Sequence, residues 1–342
     1  MHVRSHGNLS IQSYAAKQPG AQLEKFEYAP EPLGPYDVEI EIECCGVCHS
    51  DVHLIDNDWK MNSYPLVPGH EIVGFIHEKG GMVRDFQFGQ RVGVGWQRGA
   101  CLTCEHCIRG DENLCPNNAA TCVGHFGGFA KEIRVDSRFV FPIPDELESE
   151  NAAPLLCGGI TVFSPLQHYG VQPWMKVGIV GIGGLGHLAI QFARAFGCEV
   201  TVFSSSPEKE KEAREFGARR FISSVDPGAL AAARGTLDFI LATSVADLDW
   251  NAFLNILKPD GKLCFVGVPA KPITLPVFSL IGGRKTVCGS PIGSRTAIRQ
   301  MLEFAARHKI QAKVQTIPMA DANKAIEKVR SNQARYRMVL KN

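Results

Sequence analysis

The sequence lacks any long apolar run. No stretch of about eighteen consecutive apolar residues occurs, so a transmembrane helix is not expected. The N-terminal segment MHVRSHGNLSIQSYAAKQPG also lacks the apolar core of a secretory signal peptide. Both absences favour a cytoplasmic protein.

The sequence also has no excess of positive or negative charge. Lys and Arg total 36, Asp and Glu total 35, and the formal net charge is +1. Such a chain has no overall electrostatic attraction for nucleic acid or for an anionic membrane. We therefore expect a small-molecule partner, and neither a nucleic acid nor a membrane.

The chain of 342 residues is long enough for two ordinary domains. Up to about residue 158, short β-type runs such as DVEIEIECC and FAKEIRV are separated by Gly and Pro, which predicts a mostly antiparallel β domain. Beyond it, strands alternate with helices, which predicts βαβ units and a parallel sheet. Two amphipathic helices and a strand, RYRMVL, end the chain. We predict an α/β fold with a β-rich domain at 1–158 plus 290–342 and a dinucleotide-binding domain at 159–289.

A glycine motif marks the start of the second domain. Gly181, Gly183 and Gly186 form G-x-G-x-x-G between the strand KVGIV and the helix LGHLAIQFARAFG. In a dinucleotide fold these glycines permit a tight turn, approach of a pyrophosphate, and close helix–strand packing. We assign Gly184 and Leu185 to the same site. The alternative is a tight βα turn without a ligand.

The second strand of this domain bears on the choice of dinucleotide. NAD sites usually carry an acid at the tip of that strand, and this chain carries serines there. The hydroxyls of Ser205 and Ser206 and the nearby cation of Lys209 suit a 2′-phosphate, so NADP(H) is favoured over NAD(H). Ser206 followed by Pro207 also fits an ordinary helix N-cap, and both interpretations can hold together.

Cysteine, in contrast, is plentiful, with twelve residues. In a cytoplasmic chain they are more typical of metal ligands or small buried residues than of disulfides. Four of them share the spacing C-x2-C-x2-C-x7-C and would close a tetrahedral zinc shell, which is a structural site. A nucleic-acid finger would need basic residues, and this loop carries acidic ones instead. The four are Cys101, Cys104, Cys107 and Cys115.

Other ligand-type residues are scattered along the chain. Cys48 lies in CGVCHSD, His70 and Glu71 lie in VPGHEIVG, and Cys157 lies in PLLCGGIT. Two thiolates and one imidazole would leave a fourth zinc position open, as in catalytic sites. Taken singly, each is more typical of a buried structural residue. Their joint presence beside a dinucleotide motif favours a catalytic zinc.

These segments together carry a family likeness. GVCHSDVH, PLVPGHEIVG, CLTCEHCIRGDENLC, PLLCGGIT and GIGGLGH resemble the zinc-dependent medium-chain alcohol dehydrogenases. The chain looks most like their cinnamyl-alcohol-dehydrogenase branch and its bacterial broad-range aldehyde reductases. The resemblance extends from about residue 20 to the C-terminus. It implies a GroES-like catalytic domain, a Rossmann domain and a homodimer.

The resemblance also implies a role for each ligand-type residue. Cys48, His70 and Cys157 would bind the catalytic zinc, and Glu71 would be able to approach it. Asp51 would orient His70 through the other ring nitrogen of that imidazole.

Proton transfer and cofactor contacts follow from the same resemblance. Ser50 would bridge the substrate oxygen to the ribose hydroxyl, and His53 would pass the proton to solvent. His49 and Arg337 would face the pyrophosphate, and Thr161 would lie by the nicotinamide. The remaining cofactor contacts are assigned to Val268 and Ser290.

The expected function is hydride transfer between NADP(H) and a primary alcohol or aldehyde, including aromatic ones, with two zinc ions per chain. One alternative is an NAD-dependent polyol or threonine dehydrogenase on the same scaffold. Another is a non-catalytic NADPH-binding protein, although metal-free relatives of that kind lack the Cys and His ligands. Trp59, Trp96 and Leu66 are either walls of a substrate pocket or ordinary core and surface residues.

Overall fold

The computed structural model describes residues 10–269 and 271–342. Residues 1–9 of the segment tested above for a signal peptide, which also fall in the predicted first domain, lie outside the described part. Within the described ranges, no helix is long and apolar enough to cross a membrane. The chain divides into two compact units. The first runs to Cys157 and adds Ser294–Ala306 and Gln311–Asn342, and the second consists of Gly158–Gly293 and Arg307–Ile310.

The strands and helices are numbered in chain order. The strands are β1 (Ile11–Ala15), β2 (Glu24–Tyr28), β3 (Asp37–Val47), β4 (Glu71–Lys79), β5 (Arg91–Val94), β6 (Gln97–Gly99), β7 (Ala119–Ala120), β8 (Glu132–Asp136), β9 (Val140–Pro142), β10 (Lys176–Val180), β11 (Glu199–Ser204), β12 (Arg220–Ser223), β13 (Leu237–Ala242), β14 (Leu257–Phe265), β15 (Thr286–Gly289), β16 (Val314–Pro318) and β17 (Arg337–Lys341). The helices are α1 (His49–Asp56), α2 (Glu105–Arg109), α3 (Ser149–Ala152), α4 (Gly158–His168), α5 (Gly186–Ala195), α6 (Glu210–Phe216), α7 (Pro227–Ala232), α8 (Trp250–Ile256), α9 (Val277–Ile281), α10 (Arg295–His308) and α11 (Ala322–Arg330).

The first unit is built on one large sheet. Its strand order is β16-β17-β3-β4-β5-β9, and β8 also pairs with β3. All of these pairs are antiparallel except β16 with β17. β17 pairs with β3 so that Leu340 lies opposite Cys45, and the last strand of the chain therefore completes this sheet. Fully buried side chains such as Ile40, Ile72 and Phe129 form its core, each stabilising the fold by about 1.5–3 kcal/mol.

Helix α11 covers part of this core with a single apolar stripe. Its buried residues are spaced as expected for one helical face, namely Ala322, Ala325, Ile326 and Val329. Next to them, Asn323 exchanges two hydrogen bonds with the backbone of Leu23, at 2.8 and 2.9 Å. These bonds tie the helix to a segment three hundred residues earlier in the chain.

The second unit is a parallel sheet with the order β12-β11-β10-β13-β14-β15. Numbered within the unit, this is the 3-2-1-4-5-6 order of the Rossmann fold. Its central strands are buried on both faces, as a parallel sheet between helices requires, since Ile179, Val202 and Ile240 have no exposed surface. The predicted α/β class with a doubly wound parallel sheet is confirmed.

Candidate metal centres and cofactor-binding turn

The first cluster of metal-ligand side chains lies where β3 ends and β4 begins. The ligand atoms of Cys48, His70, Glu71 and Cys157 all lie within 4.8 Å of one another. The two cysteines are free thiols, and their sulfurs are 4.0 Å apart. Thiolates that share a tetrahedral zinc ion with bonds of about 2.3 Å are separated by about 3.8 Å, so the spacing suits a shared ion.

His70 supplies a second indication of a metal. Its side chain is fully buried, and its Nδ1 lies 3.1 Å from Asp51 Oδ1. Its Nε2 is buried without a hydrogen-bond partner among the described residues. Leaving such an atom unpaired costs about 1–3 kcal/mol, and a zinc ion would remove that cost. The side chains present therefore fit a zinc ion bound by two sulfurs and one imidazole nitrogen.

The register of two strands brings the ligands together. Cys48 follows β3 and caps α1, while His70 directly precedes β4. Because Gly46 on β3 lies opposite Glu71 on β4, the two ligands leave the sheet side by side. Gly69 turns the chain into His70 with a φ of 102°, a left-handed conformation that glycine adopts without steric cost.

Asp51 fixes the orientation of this arrangement. It is fully buried in the first turn of α1, and its Oδ2 accepts the backbone N–H of Cys48 at 2.8 Å. Its Oδ1 accepts the N–H of Gly69 at 2.9 Å and faces the ring of His70. With Nδ1–H directed at the carboxylate, the lone pair of Nε2 is free for a metal. The thiol of Cys122, a neighbour that the sequence did not indicate, lies 4.0 Å from the same Nδ1.

The two cysteines of this cluster influence each other's acidity. The hydrogen bond from the Cys157 thiol lowers the pKa of Cys48 well below its usual value. The same bond raises the pKa of Cys157. One thiolate and one thiol result, and zinc binding would displace the proton that remains on Cys157.

Glu71 and Arg337 form a buried ion pair beside the cluster. The guanidinium Nη2 donates to Glu71 Oε1, while Glu71 Oε2 and Arg337 Nε have no partner among the described residues. Burial raises the pKa of Glu71 to about 7. The sequence did not predict this pair. The expected contacts of Arg337 with a pyrophosphate and of Glu71 with a metal stay predictions.

The residues predicted to move a proton lie on α1. Ser50 Oγ is 3.6 Å from Cys48 Sγ, and His53 lies three residues further along the same face. His53 is partly exposed, and its Nδ1 is 2.7 Å from Asp58 Oδ2. The ring of His49, an exposed side chain, is 6.4 Å from that of His53.

Two tryptophans line the space between His53 and His70. The ring of Trp59 is 5.1 Å from His53 and 6.1 Å from Trp96, and Trp96 stands edge-on to His70 at 4.9 Å. Leu66 is buried in the core of the same unit. An aromatic wall therefore lies directly against a ligand of the candidate metal site.

The cysteine loop forms the second cluster. The sulfur of Cys101 lies 3.9 Å from Cys107 and 3.5 Å from Cys115, and Cys104 lies 3.8 Å from Cys115. These distances are far longer than the roughly 2.05 Å of a disulfide and suit four sulfurs around one ion. Backbone N–H groups, first that of Thr103, lower the pKa of Cys101 to about 6.

A buried carboxylate in the same loop anchors it to α10. Glu112, which is 3% exposed, accepts a hydrogen bond of 2.8 Å from Arg295 Nε. The guanidinium of Arg295 also lies 5.2 Å above the ring of Phe139. The loop is thereby held by a charge pair as well as by its cysteines.

The three motif glycines of the second unit are required for different reasons. Gly181 has a φ of 95°, which only glycine adopts readily. A Cβ on Gly186 would lie 2.0 Å from the carbonyl oxygen of Gly181. A Cβ on Gly183, in contrast, would meet no protein atom within 4 Å. Packing does not require glycine at position 183, and the open space above it fits the approach of a pyrophosphate. Gly184 and Leu185 complete the turn before α5.

The predicted 2′-phosphate residues lie near this turn. Lys209 Nζ donates to the carbonyl oxygen of Ile182 at 3.0 Å, so its ammonium lies against the glycine turn. Ser205 is exposed and Ser206 partly exposed at the carboxyl end of β11. Ser206 donates its N–H to Ser204 Oγ at 3.2 Å and precedes the short 3-10 turn Pro207–Lys209.

A cavity of about 420 Å³ lies at the carboxyl ends of β14 and β15. Both Val268 and Ser290, two of the predicted cofactor contacts, line it. Thr161 lies apart from them, partly exposed in the first turn of α4. The structure therefore groups two of these three residues in one concavity.

Two family models match the chain. Residues 34–145 match the alcohol dehydrogenase GroES-like domain, and residues 184–307 match the zinc-binding dehydrogenase domain. The predicted GroES-like and Rossmann halves are thus both confirmed.

Individual proteins match over nearly the whole chain. An aldehyde reductase of Synechocystis sp. is 46% identical over 330 residues, covering 96% of this chain and 98% of its own. A mannitol dehydrogenase of Petroselinum crispum is 44% identical over 327 residues, covering 93% and 97%. Among solved structures, a cinnamyl alcohol dehydrogenase of Sorghum bicolor has a TM-score of 0.94 at 39% identity, covering 97% and 98%. The Helicobacter pylori enzyme in complex with NADP(H) has a TM-score of 0.90 at 33% identity, with the same coverage.

The fold and the clustered ligands define a zinc-dependent oxidoreductase that uses a nicotinamide dinucleotide. The chain belongs to the zinc-dependent medium-chain alcohol dehydrogenase family, in its cinnamyl-alcohol-dehydrogenase-like branch. Its activity class is the interconversion of alcohols and aldehydes.

Asp51→Asn tests how the first metal site is held. An amide cannot accept both backbone N–H groups and the ring proton of His70, so we expect zinc affinity there to fall about 10–100-fold. Elemental analysis after dialysis against a chelator should find about two zinc ions in the wild type and about one in the variant. Asp56→Asn, on the same helix, should retain both ions. Full retention of zinc by the Asp51→Asn variant would contradict this account.

Proposed function

We propose that this chain reduces aldehydes to primary alcohols with NADPH, and catalyses the reverse reaction, using one zinc ion at Cys48, His70 and Cys157. The observation that carries the proposal is the buried Nε2 of His70, unpaired and adjacent to two thiols 4.0 Å apart. A second, structural zinc ion would lie in the cysteine loop. The aldehyde reductase from Synechocystis sp., similar over nearly its full length, supports the direction.

The chain's own groups prepare the site for this chemistry. When bound, zinc supplies Lewis acidity toward the substrate oxygen, and the nicotinamide carries the hydride. Asp51 holds the Nε2 lone pair of His70 toward the ligand cluster by engaging Nδ1. The burial of Asp51 and His70 excludes water from this hydrogen bond and strengthens it.

Proton transfer is assigned to Ser50 and His53. Ser50 Oγ, next to Cys48 Sγ, would give its proton to the substrate oxygen as negative charge develops there. Because Asp58 engages Nδ1 of His53, Nε2 of that ring remains to exchange protons with solvent at the partly exposed end of α1. In this assignment, His53 would supply from solvent the proton that Ser50 gives up.

Aromatic aldehydes are the substrates that we favour. Trp59 and Trp96 present an aromatic wall next to His70, and such a wall stacks well with planar apolar groups. The alternative is polyol oxidation, supported by the similarity to a mannitol dehydrogenase. Polyol hydroxyls would need several polar partners, and the two indole rings offer only one N–H donor each.

The reaction is tested with purified zinc-loaded protein and a panel of aromatic aldehydes, aliphatic aldehydes and polyols. We expect NADPH oxidation with aromatic aldehydes as the best substrates. Cys48→Ser should abolish turnover while NADPH still binds, because the second unit is untouched. Cys198→Ser, which alters a buried cysteine of the other unit, should behave like wild type. Near-normal turnover by the Cys48→Ser variant would refute the catalytic role of the cluster.

Ser50→Ala separates the proton path from the metal site in the same assay. Removal of a positioned proton donor lowers kcat by about 10²-fold or more, and zinc content should stay unchanged. An unchanged kcat would exclude Ser50 from the path.

NADP(H) is the proposed cofactor. The open space above Gly183, the ammonium of Lys209 against the same turn and the exposed Ser205 form a site suited to phosphate groups. No acidic side chain stands at the end of β11 to bind a free 2′-hydroxyl. The complex of the Helicobacter pylori relative with NADP(H) supports the same choice.

Lys209→Ala tests this preference. Losing a charge-assisted hydrogen bond of about 1.5–3 kcal/mol should raise the KM for NADPH roughly 10–100-fold. The KM for NADH should change much less. Lys211→Ala, which removes an exposed cation two residues later, is the matched control and should leave both values unchanged. An equal loss with both cofactors would show that Lys209 supports only the turn, and a wild-type preference for NADH would reverse the assignment.

A homodimer is proposed through the edge of the second unit's sheet. β15 pairs only with β14 among the described strands, so its other edge offers backbone groups for pairing. The neighbouring helix α9 exposes large apolar side chains, with Phe278 81% exposed and Val277 and Ile281 each 66% exposed. Such a patch on one short helix is typical of an interface.

Sedimentation velocity at micromolar concentration checks the dimer. The wild type should sediment as two chains, and Phe278→Glu should sediment as one, because a charge in the contact would lose its hydration. Trp174→Glu, at a position 78% exposed in the same unit, should remain dimeric. A monomeric wild type would exclude this interface.

We also propose a cytoplasmic location. All twelve cysteines are free thiols, and both zinc clusters need reduced sulfur. A reducing compartment keeps thiols in that state.

A further inference from the structure

Two cysteines outside both metal clusters lie side by side in the second unit. Cys264 on β14 and Cys288 on β15 are direct partners in the parallel register. Neighbouring strands are about 4.8 Å apart, and this spacing falls within the roughly 4.4–6.8 Å between the Cα atoms of disulfide-bonded cysteines. Because register partners point to the same face of the sheet, the two thiols lie on the same side. The Cys288 thiol also leans toward β14, since its Sγ lies 3.7 Å from the carbonyl oxygen of Leu263, the residue before Cys264.

The two thiols differ in accessibility and in acidity. Cys264 is fully buried, and Cys288 is partly exposed. The Cys264 thiol lowers the pKa of Cys288 to about 7, and the charge of Lys262 lowers it further, while burial opposes both. The Cys288 thiol and burial raise the pKa of Cys264. An accessible thiolate beside a protonated partner is the arrangement of reactive cysteine pairs.

The pair lies next in the chain to residues that line the cavity described above. Directly after Cys264, the chain forms the cavity wall at residues 265–269, and two residues after Cys288 comes Ser290, which lines the same cavity. The hydroxyl of Tyr169 donates to the carbonyl oxygen of Gly289 at 2.7 Å. A change in the distance between β14 and β15 would therefore alter the cavity.

We infer that Cys264 and Cys288 are a redox modification site that reacts with hydroperoxides and closes to a disulfide across β14 and β15. The Cys288 thiolate attacks the peroxide, so that an S–O bond forms, the O–O bond breaks and the leaving oxygen is protonated. Cys264 then attacks the sulfur of Cys288 and loses its proton, and the S–O bond breaks to release water. Each sulfur loses one electron, and the peroxide gains two.

A disulfide between Cys264 and Cys288 changes the cavity at the carboxyl ends of β14 and β15 by acting on β15, the last strand of the sheet. The bond fixes the separation of β14 and β15 at these two register partners, so Ser290 on one strand end shifts relative to Val268 on the other. Pairing of β15 with a second copy of the chain would use its backbone edge, whereas Cys288 stands perpendicular to the sheet beside Tyr169. The effect on the dinucleotide rests on the proposed function, while formation of the disulfide does not.

Mass spectrometry of the zinc-loaded full-length protein tests the pair directly. After mild hydrogen peroxide treatment, the protein is alkylated in denaturant and digested. We expect a linked Cys264–Cys288 peptide that dithiothreitol removes, absent from Cys288→Ser and from Cys264→Ser and present in Cys198→Ser. Oxidation confined to the zinc-ligand cysteines, or both residues recovered in alkylated form, would overturn the inference.

Fluorescence titration with NADPH tests the consequence. We expect the oxidised wild type to bind about fivefold more weakly or worse, the lower end of typical coupling between sites. Affinity should return on reduction and should not change in oxidised Cys288→Ser. A linked peptide with unchanged affinity would refute the effect on the cavity. Failure of the reduced protein to bind NADPH would refute the proposed cofactor, and the peptide map would still decide on the thiol pair.

Discussion

The carboxylate of Asp51 is the group on which the geometry of the candidate metal site depends. It accepts the N–H groups of Cys48 and Gly69 and engages the ring of His70. It thus joins the start of α1, the turn before β4 and an imidazole at one buried point. A carboxylate without solvent needs such donors to remain charged. Because Asp51 makes these contacts, Cys48 and His70 are held in place before an ion binds.

Charge balance around this point explains why a cation suits it. Asp51 and Glu71 are fully buried, Cys48 is half-buried beside them, and Arg337 is the cation that the structure pairs with Glu71. Although burial opposes it, Asp51 and Cys157 raise the pKa of His70 well above its usual value, so this ring supplies further positive charge as long as no ion is bound. A divalent ion would take over that role beside the two sulfurs. Burial raises the pKa of Glu71, and the hydrogen bond with Cys48 together with burial raises that of Cys157.

Short sequence patterns predicted those parts of the structure that depend on residues close together in the chain. The glycine motif, the alternation of strands and helices and the cysteine spacings are each contained within short segments, so the sequence alone indicated a Rossmann sheet and two sets of zinc ligands. α4 was not predicted, because Pro165 interrupts its helical pattern. β16 was also missed, since VQTIP is short and, among the described strands, pairs only with β17.

Contacts between distant segments could not be read from the sequence. Arg337 meets Glu71 because β17 adds to the sheet beside β3, and Cys264 meets Cys288 because two parallel strands share one register. Neither the pairing order nor the register is encoded in spacing along the chain.

The ion pair of Glu112 with Arg295 connects the cysteine loop to the start of α10. The carboxylate belongs to a loop whose four cysteine sulfurs are clustered, and the guanidinium belongs to the first turn of a helix more than 180 residues further along the chain. If the loop lost its ion and opened, Arg295 would lose its buried partner and the start of α10 would fray. An ion remote from the chemistry would in this way help to hold the first turn of α10 in place.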